Sequence, residues 1–140
     1  MSDLRVHKTK YINETKRVSF KYDGKNYFGY EGDTLASALL ANGVHLIGRS
    51  FKYHRPRGIM SCGSEEPNAI CQISDKNDLT EPNVRATELE IYDGLEAFSQ
   101  NCWPNVKFDI GGINNLISPL IPAGFYYKTF MWPKSFWKKV

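Results

Sequence analysis

Two short strands joined by a tight turn form the clearest pattern in the sequence. Over residues 17–22 apolar and polar side chains alternate, which is the two-residue period of a strand with one buried face. The apolar members are Val18, Phe20 and Tyr22. Asp23-Gly24 follows, and an Asp-Gly pair between two apolar runs is a strong signal for a hairpin turn. With a returning strand over residues 27–31, the pattern predicts an antiparallel hairpin.

A helix is predicted directly after the hairpin. Asp33 or Thr34 can accept a hydrogen bond from the free amides of its first turn. Asn42-Gly43 ends the helix, because glycine suits the left-handed cap. Its apolar stripe, expected to pack on the hairpin, consists of Leu35, Ala36, Leu39 and Leu40. A hairpin crossed by one helix is typical of the β-grasp fold, in the α+β class.

The later part of the chain supplies further strands and then changes in composition. Extended segments that can join the sheet are expected at residues 44–47, 69–74 and 81–92. We therefore predict an N-terminal arm at residues 1–16, a β-grasp domain at 17–94 and an aromatic-rich extension at 95–140.

Composition narrows the classes of protein to consider. The 140 residues carry a net charge of +3 and are 41% hydrophobic and 24% charged, as in soluble globular proteins. So small a net charge argues against nucleic acid as the partner. No apolar run approaches the roughly 20 residues of a membrane span, and the first residues lack the apolar core of a signal peptide. We expect a cytoplasmic protein that contacts no membrane.

The three cysteines, Cys62, Cys71 and Cys102, raise the question of a metal site. Their odd number and wide spacing argue against a disulfide framework. A plant-type [2Fe–2S] cluster needs a Cys-x4-Cys-x2-Cys motif and a distant fourth cysteine. Here eight residues separate Cys62 from Cys71. We expect inert thiols and no metal ligands; a cluster that recruits His54 is the alternative.

No complete set of catalytic residues is evident. The sequence contains no nucleophile elbow, no G-x-G-x-x-G motif and no P-loop. The adjacent acids Glu65 and Glu66 are expected to belong to a polar turn, since neighbouring side chains need not converge on one substrate.

A basic and aromatic segment lies at residues 49–58. Its cationic or titratable members are Arg49, Lys52, His54, Arg55 and Arg57. They can contact an anionic cofactor, such as a flavin phosphate, or an acidic partner. The segment can equally be a solvated loop, and a nucleic-acid contact is the remaining alternative.

Aromatic residues are concentrated near the end of the sequence. Seven of them are Phe125, Tyr126, Tyr127, Phe130, Trp132, Phe136 and Trp137. Left in water, they would form an apolar patch larger than monomers tolerate. We expect them to lie against other protein, with packing back onto the chain's own sheet as the alternative.

Several longer strings carry a family resemblance. Residues 32–43 (GDTLASALLANG) and 48–58 (GRSFKYHRPRG) are continued by residues 66–69 (EPNA), 81–87 (EPNVRAT) and 123–133 (AGFYYKTFMWP). Together they resemble the N-terminal ferredoxin-like domain of the α subunits of heterotetrameric sarcosine oxidases. The likeness covers residues 17–137. Cluster-binding relatives carry a cysteine-rich loop where this chain has residues 63–69, which implies a β-grasp domain without iron.

The resemblance also implies a function and partners. Such complexes oxidatively demethylate sarcosine and transfer the one-carbon unit to tetrahydrofolate. Their FAD, FMN, NAD and tetrahydrofolate would be bound outside this chain, which holds no dinucleotide-binding motif. Its role would be that of a scaffold that contacts the β, γ and δ subunits or the rest of the α chain. A small [2Fe–2S] electron-transfer subunit of an amine, hydroxyproline or opine dehydrogenase is the second hypothesis, and a nucleic-acid-binding domain is the third.

Overall fold

The computed structural model describes residues 4–5, 10–74 and 79–120, and a five-stranded sheet lies at its centre. The strands of that sheet are β1 (Asn13–Tyr22), β2 (Lys25–Glu31), β5 (Ile70–Ser74), β6 (Thr80–Arg85) and β7 (Leu95–Ser99). A separate hairpin is formed by β3 (Gly48–Arg49) and β4 (Pro56–Arg57). The helices are α1 (Leu35–Ala41) and α2 (Ile113–Leu116), with 3-10 turns at Gly63–Glu65, Ile110–Gly112 and Ser118–Leu120. None of the helices in these ranges is long and apolar enough to cross a membrane.

The sheet is mixed, with strand order β2-β1-β7-β5-β6. β1 and β7 are parallel neighbours, whereas the other pairs are antiparallel. Helix α1 packs its buried face against this sheet through a single apolar core. The predicted α+β, β-grasp architecture is therefore confirmed.

The N-terminal hairpin forms at the predicted place. Tyr22 pairs with Lys25 across the turn, and the two turn residues Asp23 and Gly24 have φ values of 48° and 73°. Positive φ at both central positions is the condition for the two-residue turn whose twist matches that of the strands. The Asp-Gly pair therefore sets the register of β1 against β2.

Helix α1 is capped and buried largely as predicted. Thr34 is the N-cap, and its hydroxyl accepts a 3.2 Å hydrogen bond from the amide of Ser37. Leu35 and Leu39 are fully buried, but Leu40 is 38% exposed and does not belong to the buried stripe. A side chain at Gly29 on β2 would clash with Ile91, and its Cβ would lie 3.1 Å from Cβ of Ala38 on the helix.

Asp33, the other predicted cap residue, instead connects the helix to the N-terminal arm. Its side chain is fully buried and accepts hydrogen bonds from the guanidinium of Arg5, at 2.9 and 2.5 Å. It also accepts from the amide of Tyr30 (2.9 Å) and the hydroxyl of Ser37 (2.8 Å). Arg5 is thereby held against the start of α1.

The sheet differs from the sequence-based expectation in several bounds. β7 lies between β1 and β5 in the sheet, because Leu95 and Ala97 face the core. The sheet therefore extends to Ser99, five residues beyond the predicted domain end at residue 94. β1 begins within the predicted arm. The extended stretch expected at 81–92 ends with β6 and gives way to a turn, and residues 44–47 form no strand.

Candidate functional site

The segment between β4 and β5, residues 58–69, is organised by one buried side chain, and we call it the Glu66 loop. Glu66 is 1% exposed. Its carboxylate accepts four backbone hydrogen bonds: Oε2 from Met60 (2.7 Å) and Ser61 (2.5 Å), and Oε1 from Asn68 (2.7 Å) and Ala69 (3.1 Å). The expectation of a merely polar turn at Glu65 and Glu66 is therefore wrong for Glu66, whereas Glu65 is exposed.

These hydrogen bonds determine the charge of Glu66. Burial would raise the pKa of its carboxyl, but the four backbone N–H groups together lower it to about 2. Neighbouring groups tie the same loop to the turn after β6. The Thr87 hydroxyl donates to the carbonyl of Gly63 at 2.6 Å, and Arg85 Nε donates to the backbone carbonyl of Glu66 at 3.3 Å. The loop therefore holds an internal anion at neutral pH.

The cysteines lie in three different environments. Cys62 is exposed at the start of the 3-10 turn in the Glu66 loop. Cys71 lies in the core on β5, where its thiol donates to the carbonyl of Val84 at 3.4 Å and burial raises its pKa to about 12. Cys102 is half-buried beside the hydroxyl of Ser99, at 3.2 Å. Within residues 4–5, 10–74 and 79–120, no three His, Cys, Asp or Glu side chains converge on a metal-sized site.

The basic loop, residues 49–58, turns two of its five predicted contact residues inward. The Arg49 guanidinium donates to the carbonyls of Val106 (2.9 Å), His54 (3.0 Å) and Lys107 (3.3 Å). His54 Nδ1 lies 2.7 Å from Oδ2 of Asp109, whose side chain is fully buried. Arg49 and His54 thus fasten the basic loop to the segment around Asp109.

Of the other three members of the basic loop, Arg55 is exposed, whereas Lys52 and Arg57 are half-buried. Arg55 stacks over the ring of Tyr53 at 4.7 Å, and its Nε donates to Asn115 Oδ1 at 3.0 Å. Lys52 Nζ lies 5.0 Å from the same ring. Arg57 is half-buried at one wall of a cavity of about 260 Å³.

That cavity lies between the basic loop and the Glu66 loop. Arg57 and Asn68 contribute polar walls from the two loops, and Gln100 contributes another from the end of β7. Gln100 Oε1 is buried and has no hydrogen-bond partner among the residues that the structure describes. Two of its walls are therefore a basic side chain, Arg57, and an amide side chain, Gln100.

An apolar surface lies on the segment after β7, residues 103–117, which we call the apolar segment. It exposes six large side chains: Trp103, Phe108, Ile110, Ile113, Leu116 and Ile117. Asp109 supports the segment from inside, accepting the amides of Trp103 (3.0 Å) and Gly111 (3.1 Å). Burial would raise the pKa of Asp109, but these amides and His54 lower it. Sequence reasoning did not identify this surface, because its apolar residues follow neither a helical nor a strand period.

The aromatic residues expected to form an interface all lie outside the described residues. They are Phe125, Tyr126, Tyr127, Phe130, Trp132, Phe136 and Trp137. Their contact with other protein therefore remains a prediction.

Comparison with known proteins gives the site a family context. A family model described as "2Fe-2S iron-sulfur cluster binding domain" matches residues 15–102. This match includes all five strands of the central sheet, apart from the first two residues of β1, and the whole Glu66 loop.

Curated relatives are similar over the same region or beyond it. Sarcosine oxidase subunit alpha of Rhizobium meliloti (strain 1021) is 56% identical over all 140 residues, which are 14% of that protein. Sarcosine oxidase subunit alpha of Corynebacterium sp. (strain U-96) is 41% identical over 88 residues, 61% of this chain and 9% of the relative. The chain therefore spans about one seventh of the length of the first of these relatives.

A solved structure supports the fold. L-proline dehydrogenase from P. horikoshii superposes with a TM-score of 0.50 at 23% sequence identity, covering 64% of this chain and 16% of that one. At this level of identity the likeness concerns the arrangement of strands and helix alone.

Proposed function

The chain belongs to the 2Fe-2S iron-sulfur cluster binding domain family, and we propose that it is the N-terminal, cluster-less domain of a sarcosine oxidase α subunit. In this proposal it has no catalytic residues and acts as a scaffold in a cytoplasmic complex. That complex oxidatively demethylates sarcosine and passes the one-carbon unit to tetrahydrofolate. The identity of 56% over the whole chain supports the assignment.

The residues present do not fit the cluster that the family name implies. Four thiolates are needed around two irons, and the chain has three cysteines. Of these, Cys71 is buried in the core, where its thiol donates to the carbonyl of Val84, whereas Cys62 is exposed. The centre of the loop is taken by the Glu66 carboxylate. We therefore derive no electron-transfer step for this domain.

The observation that carries the scaffold role is the apolar segment. Ile113 is 60% exposed and Leu116 is 79% exposed, on a segment that the buried Asp109 holds in place. Large apolar side chains on an ordered surface are typical of protein interfaces. We propose that this surface contacts the rest of the α chain or the β, γ or δ subunit, together with the aromatic residues at 125–137.

The basic loop contributes an anion contact in this proposal. Lys52, Arg55 and Arg57 face an acidic partner surface or a flavin phosphate, while Arg49 and His54 position the loop from inside. FAD, FMN, NAD and tetrahydrofolate are bound by other parts of the complex. The cavity beside Arg57 and Gln100 marks the place where a polar group would enter.

Association of separate chains tests the scaffold role. Residues 1–140 and the remainder of a sarcosine oxidase α subunit are expressed as two chains with the β, γ and δ subunits, and co-purification is measured. A double variant, Ile113→Asp with Leu116→Asp, is expected to weaken association at least about tenfold, because charge replaces buried apolar area. Leu79→Asp is the matched control, since Leu79 is 69% exposed and lies outside the segment. Undiminished association of the double variant would contradict the proposal.

The family description favours a second candidate, a [2Fe–2S] electron-transfer subunit of a related amine, hydroxyproline or opine dehydrogenase. Iron and acid-labile sulfide are measured on anaerobically purified protein. Two irons and two sulfides per chain would establish this candidate and overturn the cluster-less scaffold. Substoichiometric iron that a chelator removes without loss of folding supports the scaffold.

A further inference from the structure

The Glu66 carboxylate is bound mainly by backbone amides of its own loop. Its four partners come from both ends of the loop: the amides of Met60 and Ser61 bind one oxygen, and those of Asn68 and Ala69 bind the other. The hydroxyl of Ser61 lies 3.4 Å from the first oxygen. One side chain thereby joins the two ends of a ten-residue stretch, residues 60–69.

No cationic side chain neutralises this carboxylate among the residues that the structure describes. The nearby Arg85 donates to the backbone carbonyl of Glu66 and pairs with Glu88, at 3.3 Å in each case. Glu65, the neighbouring acid, is exposed. The negative charge of Glu66 is therefore compensated by aligned backbone N–H dipoles, as in the concave anion sites built from successive amides.

Such concave amide sites are used for phosphates and for iron–sulfur clusters. The family to which the chain belongs is described by its cluster, and the Glu66 loop carries the exposed Cys62 beside the 3-10 turn. We propose that the Glu66 carboxylate replaces the cluster as the anion around which residues 58–69 fold. The loop is then an anion-binding site occupied by its own chain, and it will accept a small carboxylate when Glu66 is shortened.

This assignment differs from that of an ordinary buried hydrogen-bonding residue. An ordinary core glutamate could be replaced by a neutral side chain of similar shape. Here glutamine offers one acceptor oxygen and turns an NH2 group towards two N–H donors, so shape alone does not restore the contacts. The site needs two acceptor oxygens and a negative charge.

Chemical rescue tests the proposal directly. Thermal unfolding of the 140-residue chain is followed for the wild type, Glu66→Ala, Glu66→Gln and Glu65→Ala in sodium formate and in sodium chloride of equal ionic strength. Glu66→Ala and Glu66→Gln are expected to lower the Tm by about 10 °C or more. Formate, but not chloride, is expected to restore at least half of the loss in Glu66→Ala, with a saturable dose response.

The controls separate the site from general effects of salt. Glu65→Ala removes the same charge one residue away and is expected to change the Tm by less than about 2 °C, with no specific response to formate. Glu66→Gln should also fail to respond, because its side chain still fills the space. Equal rescue by formate and chloride, or a Glu66→Ala variant as stable as the wild type, would overturn the proposal.

A measurement on the wild type keeps the test decisive if Glu66→Ala does not fold. The ¹³C chemical shift of the Glu66 carboxyl and the amide shifts of Met60, Ser61, Asn68 and Ala69 are followed between pH 7 and pH 3. We expect all five signals to stay constant over this range. A Glu66 carboxyl signal that titrates between pH 7 and pH 3 would overturn the proposal. The proposal that the domain binds no cluster is tested separately, by the iron content of the protein. Failure of that proposal and failure of this inference are therefore distinguishable.

Discussion

The Glu66 loop and the apolar segment are each built around one fully buried carboxylate, but they present opposite surfaces. Glu66 draws the amides of residues 60–61 and 68–69 inward, so its loop closes on itself. Asp109 accepts the amides of Trp103 and Gly111, and it adds the ring of His54. The segment around it directs large apolar side chains outward.

The difference lies in what completes each carboxylate. Glu66 is bound by groups of its own loop, four backbone amides and the Ser61 hydroxyl. Asp109 instead joins two loops through the side chain of His54, and Arg49 approaches it to 3.9 Å. The ring of His54 lies against Gly111 so closely that a side chain at that glycine would clash with it. A self-contained anion stabilises one loop, while an anion with side-chain partners fixes one loop against another.

The largest loss of stability is expected from a substitution in the core, and it provides a reference for the smaller losses expected in the two regions. Leu39 is fully buried on α1, so Leu39→Ala is expected to lower the free energy of unfolding by about 2–5 kcal/mol. Chemical denaturation of the wild type and the variant measures the change. Leu40→Ala, at a 38% exposed position on the same helix, is the control and should cost much less. A loss below about 1 kcal/mol for Leu39→Ala would mean that α1 does not pack as described.

Acid should weaken the Glu66 loop in a defined range of pH. The pKa of Glu66 is about 2 in the folded chain, below its ordinary value of 4.5. The ionised carboxylate therefore contributes fully above about pH 4.5, and the contribution is lost as the pH falls towards 2. A shift of this size corresponds to roughly 3 kcal/mol. The difference in free energy of unfolding between the wild type and Glu66→Gln should shrink from pH 5 to pH 2.5; a constant difference would count against the assignment.

Replacing Asp109 should loosen the contact between the two loops and leave the Glu66 loop intact. Asp109→Asn keeps one acceptor oxygen but loses the charge that faces His54, so we expect a cost of about 1–3 kcal/mol. Hydrogen exchange should accelerate at the amides of Trp103 and Gly111. The amides of Ser61 and Ala69 serve as internal controls, and equal acceleration there would show that the two carboxylates are not independent.

The smallest effects are expected at the cysteines. Cys62→Ser changes an exposed side chain and should alter the free energy of unfolding by less than about 0.5 kcal/mol. Cys71→Ser places a hydroxyl in the core and should cost about 1–3 kcal/mol, although the serine can still donate to Val84. If Cys62→Ser unfolded the chain or removed a visible absorbance, the thiol would have a ligand after all.

The hairpin and α1 could be predicted from sequence because their determinants are local. The Asp23-Gly24 turn and the Thr34 cap each depend on residues within four positions. β7 was missed as part of the sheet because its partners are distant: Phe20 pairs with Leu95, and Cys71 pairs with Ser99. The alternation of Leu95 and Ala97 with polar residues indicates a strand, but it does not predict which strands lie beside it in the sheet.

The candidate site was predictable only in part, for a physical reason. The positive charge of the basic loop is visible in its composition, but the inward direction of Arg49 and His54 depends on carbonyls and a carboxylate more than fifty residues away. The sequence does not indicate the role of Glu66, because its partners are mainly backbone amides, which almost every residue carries. The hydrogen bonds of a carboxylate to main chain cannot be identified until the path of that chain is known.

The position of β7 between β1 and β5 has a consequence for synthesis on the ribosome. β7 fills the place between β1 and β5, so until residues 95–99 have been made the two halves of the sheet have no shared strand. The hairpin and α1 can form early from local contacts, but their apolar face stays uncovered during that interval. Translation speed through residues 32–99 should therefore set how long a nascent chain depends on chaperones, and slow codons there would prolong that dependence.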